Sequence, residues 1–133
     1  CSTYTVHATG DNPIVNALRC QRAYYAMDRT AQFLKEGHFV FSPISHYHEL
    51  AVRNEMPKGY EFYQKLDRHF IECADEVWVL TMPYWKESHG ITDEIDYAKS
   101  LGKPVKLIDA SDYVEYDGIG GRIHGDTITT ETV

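Results

Sequence analysis

The chain has 133 residues, 43% hydrophobic and 25% charged, which suits one compact domain with its own core and leaves too little for a second. A formal charge of −7 supplies no basic field, so a nucleic acid polymer is not an expected partner. The odd set Cys1, Cys20 and Cys73 lacks CxxC spacing, which argues against a disulfide framework or zinc knuckle, and no apolar run reaches membrane-span length.

Strand and helix signals alternate along the chain. Residues 3–8 are β-branched and aromatic and predict a first strand, followed by the turn Gly10-Asp11-Asn12-Pro13, with Asn12 as helix cap and Pro13 at the first helical position. Over 14–35 the apolar positions Val15, Leu18, Ala23, Ala26, Met27, Phe33 and Leu34 recur at helical spacing, and Gly37 supplies a left-handed stop. Arg19 and Arg22 on that helix read as solvated, and Tyr24-Tyr25 as packing residues.

Residues 38–41 predict a second strand ending at Ser42-Pro43, and the polar, His-rich stretch 44–59 predicts a loop that covers a site. A second helix follows over 60–73, with Phe62, Leu66, Phe70 and Ile71 on one stripe and Asp67 away from its centre. Residues 76–82 form the central strand, with Trp78 in the core. The third helix spans 91–101, and Gly102-Lys103-Pro104 leads into a strand at 105–108. The Gly-punctuated tail, 112–133, suits a hairpin or an oligomer arm. Such alternation predicts a parallel sheet with helical crossovers.

The richest chemistry lies where the central strand turns into the third helix, at Ser88-His-Gly90-Ile-Thr-Asp-Glu94. Small residues at such a turn let backbone approach a phosphate or hydroxyl, and the helix start stabilises an anion. An ionised Glu94 there could attack a sugar carbon, because glycosyl transfer passes through an oxocarbenium-like state that a carboxylate stabilises and traps. An exposed helix glutamate is the commoner fate of such a residue, and Asp93 and Asp96 read as solvent charges. His46 and His48 would share one face of an extended segment, but no third ligand has matching spacing; no metal or other cofactor is expected, and the pair is assigned to the covering loop as substrate contacts. Trp85 and Tyr84 follow the central strand at the rim, where a base could stack.

Three strings together resemble the nucleoside 2-deoxyribosyltransferase-like superfamily: Phe41-Ser-Pro-Ile-Ser-His46-Tyr-His48; Asp67-Arg-His-Phe-Ile-Glu-Cys-Ala-Asp75-Glu-Val-Trp-Val-Leu; and Trp85-Lys-Glu-Ser88-His-Gly90-Ile-Thr-Asp-Glu94 through Gly102-Lys-Pro-Val. The resemblance covers roughly residues 3–109, its closest branch being small uncharacterised bacterial and phage proteins related to deoxynucleoside 5'-monophosphate N-glycosidases. It implies Glu94 as nucleophile on C1', Ser88 with Gly90 at the 5'-phosphate, Asp67 as the acid that orients the sugar or protonates the leaving base, and Tyr4 as a holder of the nucleophilic carboxylate. The phosphate turn that often follows the family's first strand is here His7-Ala8-Thr9-Gly10, a departure from the pattern.

The expected architecture is a flavodoxin-like three-layer α/β/α sandwich with four or five parallel strands, the first four in the order 2-1-3-4, and a pocket at the strands' carboxyl ends. The expected activity is cleavage or exchange of the N-glycosidic bond of a nucleoside or nucleoside 5'-monophosphate, by a cytoplasmic homodimer or larger even oligomer that engages neither membrane nor nucleic acid polymer. A dinucleotide glycohydrolase and a non-catalytic nucleotide-binding module are the rival readings.

Overall fold

The computed structural model describes residues 13–116 and the backbone of 122–123. Helix α1 spans Pro13–Lys35, α2 Pro43–Arg53 and α3 Tyr60–Cys73; strand β1 is Val77–Leu80, followed by helix α4 at His89–Ser100, strand β2 at Val105–Ile108, and the short strands β3 at Glu115–Tyr116 and β4 at Arg122–Ile123. Strands β1 and β2 pair in parallel, Val77 opposite Val105 and Leu80 opposite Ile108, so β1, α4 and β2 form one βαβ unit. Among the described residues the parallel sheet has two strands. The strand expected at 3–8, with Asn12 and Tyr4, lies outside the described residues.

The pleat of β1 sorts its side chains between two apolar clusters. Val77 and Val79 pack with Ile71 of α3 and with Ile91 and Ala98 of α4, whereas Leu80 packs with Ala26 of α1, Met82, Ala110 and Tyr113. Helices therefore cover both faces of this small sheet, α1 on one and α3 with α4 on the other. Trp78 is half-buried rather than enclosed, its ring edge-on to Phe33 and His38 with the Lys106 ammonium 5.5 Å from its centre.

Two of the expected elements are corrected by the structure. Residues 38–41 form no regular element and join no ladder among the described residues: the His38 ring packs on Trp78, the Phe41 ring stacks on Phe70, and Phe39 is fully exposed. The stretch expected as a loop over 44–59 contains α2, because Ser42-Pro43 is a helix start rather than a strand stop. The Ser42 hydroxyl accepts from the Ser45 N–H, and Pro43 occupies the first helical turn, where its missing N–H has no cost.

Behind α1, a polar network contradicts the assignment of Arg22 to solvent. Arg22 is buried and its Nε donates to the fully buried Glu115, which also accepts from the Tyr113 hydroxyl at 2.8 Å. A buried carboxylate robbed of such partners costs about 3–5 kcal/mol, so the pair pins the chain after β2 against α1. Gln21 adds a second clamp, its amide donating to the Tyr116 carbonyl at 2.6 Å and accepting from the Tyr116 N–H at 2.8 Å. The antiparallel pairing of Glu115–Tyr116 with Arg122–Ile123 gives the tail a hairpin ladder, while 117–121 and 124–133 lie outside the described residues.

Candidate functional site

Helices α3 and α4 lie side by side and run in the same direction, since contacts pair start with start and end with end. A Cβ at Gly90 would lie 3.8 Å from the Tyr60 ring; Arg68 reaches Asp93; and Ile71 joins Ala98 in one cluster. Because α4 follows β1, both helix starts sit at the carboxyl edge of the sheet, where parallel α/β folds bind ligands.

Periodicity brings two carboxyls to this seam. Glu94 is three residues beyond buried Ile91 and four before buried Ala98, so it projects from the inward face of α4; Asp67 is one turn before buried Ile71 on α3. Both are half-buried, and the two carboxyls sit within hydrogen-bonding reach of each other. Asp67 Oδ1 is buried with no hydrogen-bond partner among the described residues.

Burial is the main cause that raises the pKa of both groups, and two carboxylates facing each other cannot both ionise cheaply. Asp67 is pushed up to about 7 by burial, then by the Glu94 charge and hydrogen bond, with a smaller contribution from Asp93. The shared hydrogen bond acts in the opposite sense on Glu94, favouring its anion. The two carboxyls therefore titrate as a coupled pair that gives up its protons less readily than two free acids would.

Asp93 is no solvent charge. It accepts from Arg68 Nη2 at 2.8 Å and also from Tyr60 and Gln64; burial opposes its ionisation, yet these donors keep its pKa below the usual value. The Arg68 guanidinium also lies 4.7 Å from the centre of the Tyr97 ring. Tyr60 is pushed up to about 12 by burial and by its bond to Asp93, and its ring lies 4.7 Å from that of His89. Tyr47 of α2 faces the dyad, its pKa raised by burial and then by the charge of Asp67. The sequence offered no periodic signal for Tyr47, because α2 itself read as loop.

The remaining expected site residues are placed differently. Ser88 caps α4, its Oγ accepting the Ile91 N–H at 3.4 Å, so one lone pair is engaged while the hydroxyl proton stays available. Gly90 lies in the first turn of α4, where a Cβ would make only ordinary contacts, so close approach of backbone does not demand glycine there. His46 and His48, two apart on a helix instead of a strand, point to nearly opposite sides. His46 is exposed beside Phe41 and Tyr47, whereas His48 is buried and edge-on to Tyr24 of α1. They do not act as a pair. Trp85 packs on the cluster under α4, with Lys86 5.5 Å from its ring centre, so its ring serves the core before any ligand. Tyr84, in the turn between β1 and α4, holds a left-handed φ of 65°, an unusual state for a residue with a Cβ.

Among the described residues no three His, Cys, Asp or Glu side chains are grouped to hold a metal, and no helix is long and apolar enough to cross a membrane. The profile of a domain of unknown function, DUF1937, matches residues 1–110, which include α1 to α4, both parallel strands and the whole dyad. The chain belongs to the DUF1937 family. No curated protein matches this DUF1937 chain significantly.

Proposed function

We propose that this DUF1937 domain is an N-glycosidase or deoxyribosyltransferase acting on a nucleoside or nucleoside 5'-monophosphate, built as a cytoplasmic, flavodoxin-like α/β/α sandwich of four or five strands. The observation that carries this reading is the carboxyl dyad, Asp67 facing Glu94, across the seam between two helices that both start at the carboxyl edge of the parallel sheet. Structural ion pairs are usually of opposite sign; a half-buried pair of like acids that shares a proton suits chemistry needing an acid and an anion together.

The division of labour follows from the proton. A Glu94 oxygen attacks C1' of the sugar as the C1'–N bond breaks, and the bond's electron pair goes to the base, which takes the proton held by Asp67. Water or a second base then attacks C1' of the glycosyl ester, freeing Glu94 as the carboxylate and returning a proton to Asp67. No cofactor is required for this sequence. Ser88, through its free hydroxyl proton, is the donor assigned to the sugar's 5' substituent, and Tyr4, outside the described residues, is assigned to hold Glu94.

Incubation with a chromatographic panel of nucleosides, their 5'-monophosphates and a nicotinamide dinucleotide tests the reading. Release of free base from at least one nucleoside or monophosphate is expected. Release from the dinucleotide alone favours a dinucleotide glycohydrolase, and thermal stabilisation by nucleotides without base release makes the domain a binding module. We further assign the domain to a homodimer or larger even oligomer, which would cover exposed Ile14, Phe39 and Val52; a monomeric mass by light scattering at micromolar concentration contradicts this assignment.

A further inference from the structure

Two neighbouring residues on α3, Asp67 and Arg68, face two neighbouring residues on α4, Asp93 and Glu94. The inner pair is like-charged and repels whenever both ionise; the outer pair is an ion pair with its N–O distance at 2.8 Å. The same two helices thus carry, one residue apart, a contact that drives them apart and one that draws them together. We propose that the Arg68–Asp93 pair is a brace that holds the Asp67 and Glu94 carboxyls close enough to share a proton, making Arg68 and Asp93 positioning residues of the dyad.

Several contacts make the brace stiffer than an ordinary surface ion pair. Asp93 is held by Tyr60 and Gln64 as well as by Arg68, and the Arg68 guanidinium is stacked on Tyr97, whose hydroxyl in turn donates to Glu72 of α3. Bonds therefore cross the seam in both directions, from α3 to Asp93 and from Tyr97 back to α3. An exposed ion pair on its own contributes little stability, but neither its geometry nor its effect on a neighbouring distance depends on that net value. The charged and titratable groups that act on Asp67 and Glu94 among the described residues are Tyr47 of α2 and Asp93 of α4, with Arg68 of α3 and Tyr60 joined through Asp93.

The inference concerns the geometry of the dyad and is independent of the glycosidic reading, so its test uses no substrate. Side-chain carboxyl carbons of the whole chain are labelled with carbon-13, and the titration of Asp67 is followed by NMR in the parent, Arg68→Gln, Asp93→Asn and Arg68→Lys proteins. Charge alone predicts opposite shifts, since loss of a nearby cation raises an acid's midpoint and loss of a nearby anion lowers it. A brace predicts the same sign for both, because either loss lets the carboxyls part and removes their mutual repulsion. The expected result is a fall of about half a pH unit or more in both Arg68→Gln and Asp93→Asn. Arg68→Lys, which keeps the cation, is expected to remain within a smaller shift of the parent. Opposite shifts in Arg68→Gln and Asp93→Asn, or no shift in either, overturn the brace. If either variant fails to fold, Tyr60→Phe removes one donor to Asp93 and carries the test instead, with a smaller downward shift expected and an upward or absent shift overturning it.

Discussion

Replacing Glu94 by alanine is expected to lower base release at least about a thousandfold, the scale of loss when a covalent nucleophile is removed. The fold is expected to tolerate its loss. Its carboxyl lies on the inward face of α4 with its pKa raised mainly by burial, so removing it relieves a desolvated acid at the loss of one hydrogen bond to Asp67. The melting temperature of Glu94→Ala at neutral pH should accordingly stay level or rise, which separates lost chemistry from lost structure. The truncated side chain also leaves room for a small anion. Added azide should restore part of the rate and yield a glycosyl azide attached to the sugar face opposite the departing base. Unchanged turnover in Glu94→Ala removes the covalent mechanism, and a lost rate with a collapsed melting temperature would make Glu94 a structural residue.

Asp67→Asn tests the other half of the dyad by two independent readouts. A folded-state pKa raised from 3.8 to about 7 means that the protein holds the Asp67 proton more tightly than the unfolded chain does. The stability associated with that proton is complete below pH 4 and is lost as pH rises through about 7, so the parent should weaken across this window. Asn cannot ionise. Asp67→Asn should therefore lack this slope and exceed the parent at pH 8 by about 2 kcal/mol, roughly half of what the full shift would give, because the site is partly solvated. Urea titrations at pH 4 and pH 8 measure the difference. A parent that gains stability relative to Asp67→Asn over that range contradicts the raised pKa.

The catalytic readout of the same variant depends on the leaving group. Loss of a general acid typically costs about a hundredfold to ten-thousandfold for a base that must be protonated. A nucleoside whose base already carries a fixed positive charge, through N-alkylation, departs without a proton, and Asp67→Asn should cleave it at close to the parent rate. Equal losses on both substrates would show that Asp67 orients the sugar and gives no proton.

Much of this arrangement was legible along the chain where one helix or strand declares its own face. The 3.6-residue rhythm of α1 and α3 and the glycines at 37 and 102 place those elements because the signal is local. Glu94 could be singled out for the same reason, three residues after Ile91 and four before Ala98. The region around α2 was misread because Ser42-Pro43 begins a helix as readily as it ends a strand, and with that error His46 and His48 moved from one shared face to opposite sides of a helix. Ser88 fills a cap that its position could equally have foretold.

Composition and periodicity alone placed the helices α1, α3 and α4 and the parallel strands β1 and β2, and singled out the carboxylate of Glu94. Only tertiary packing decided what meets that carboxylate. Asp67 is 27 positions away in the chain, and nothing in either helix's own pattern states that α3 and α4 run the same way with these residues level. The same holds for Arg68 with Asp93 and for Arg22 with Glu115, whose partners lie 25 and 93 positions away. Burial direction is written into local spacing, but a pairing between helices depends on how βαβ crossovers stack them, and the resulting low dielectric gives two ordinary acids one proton to share.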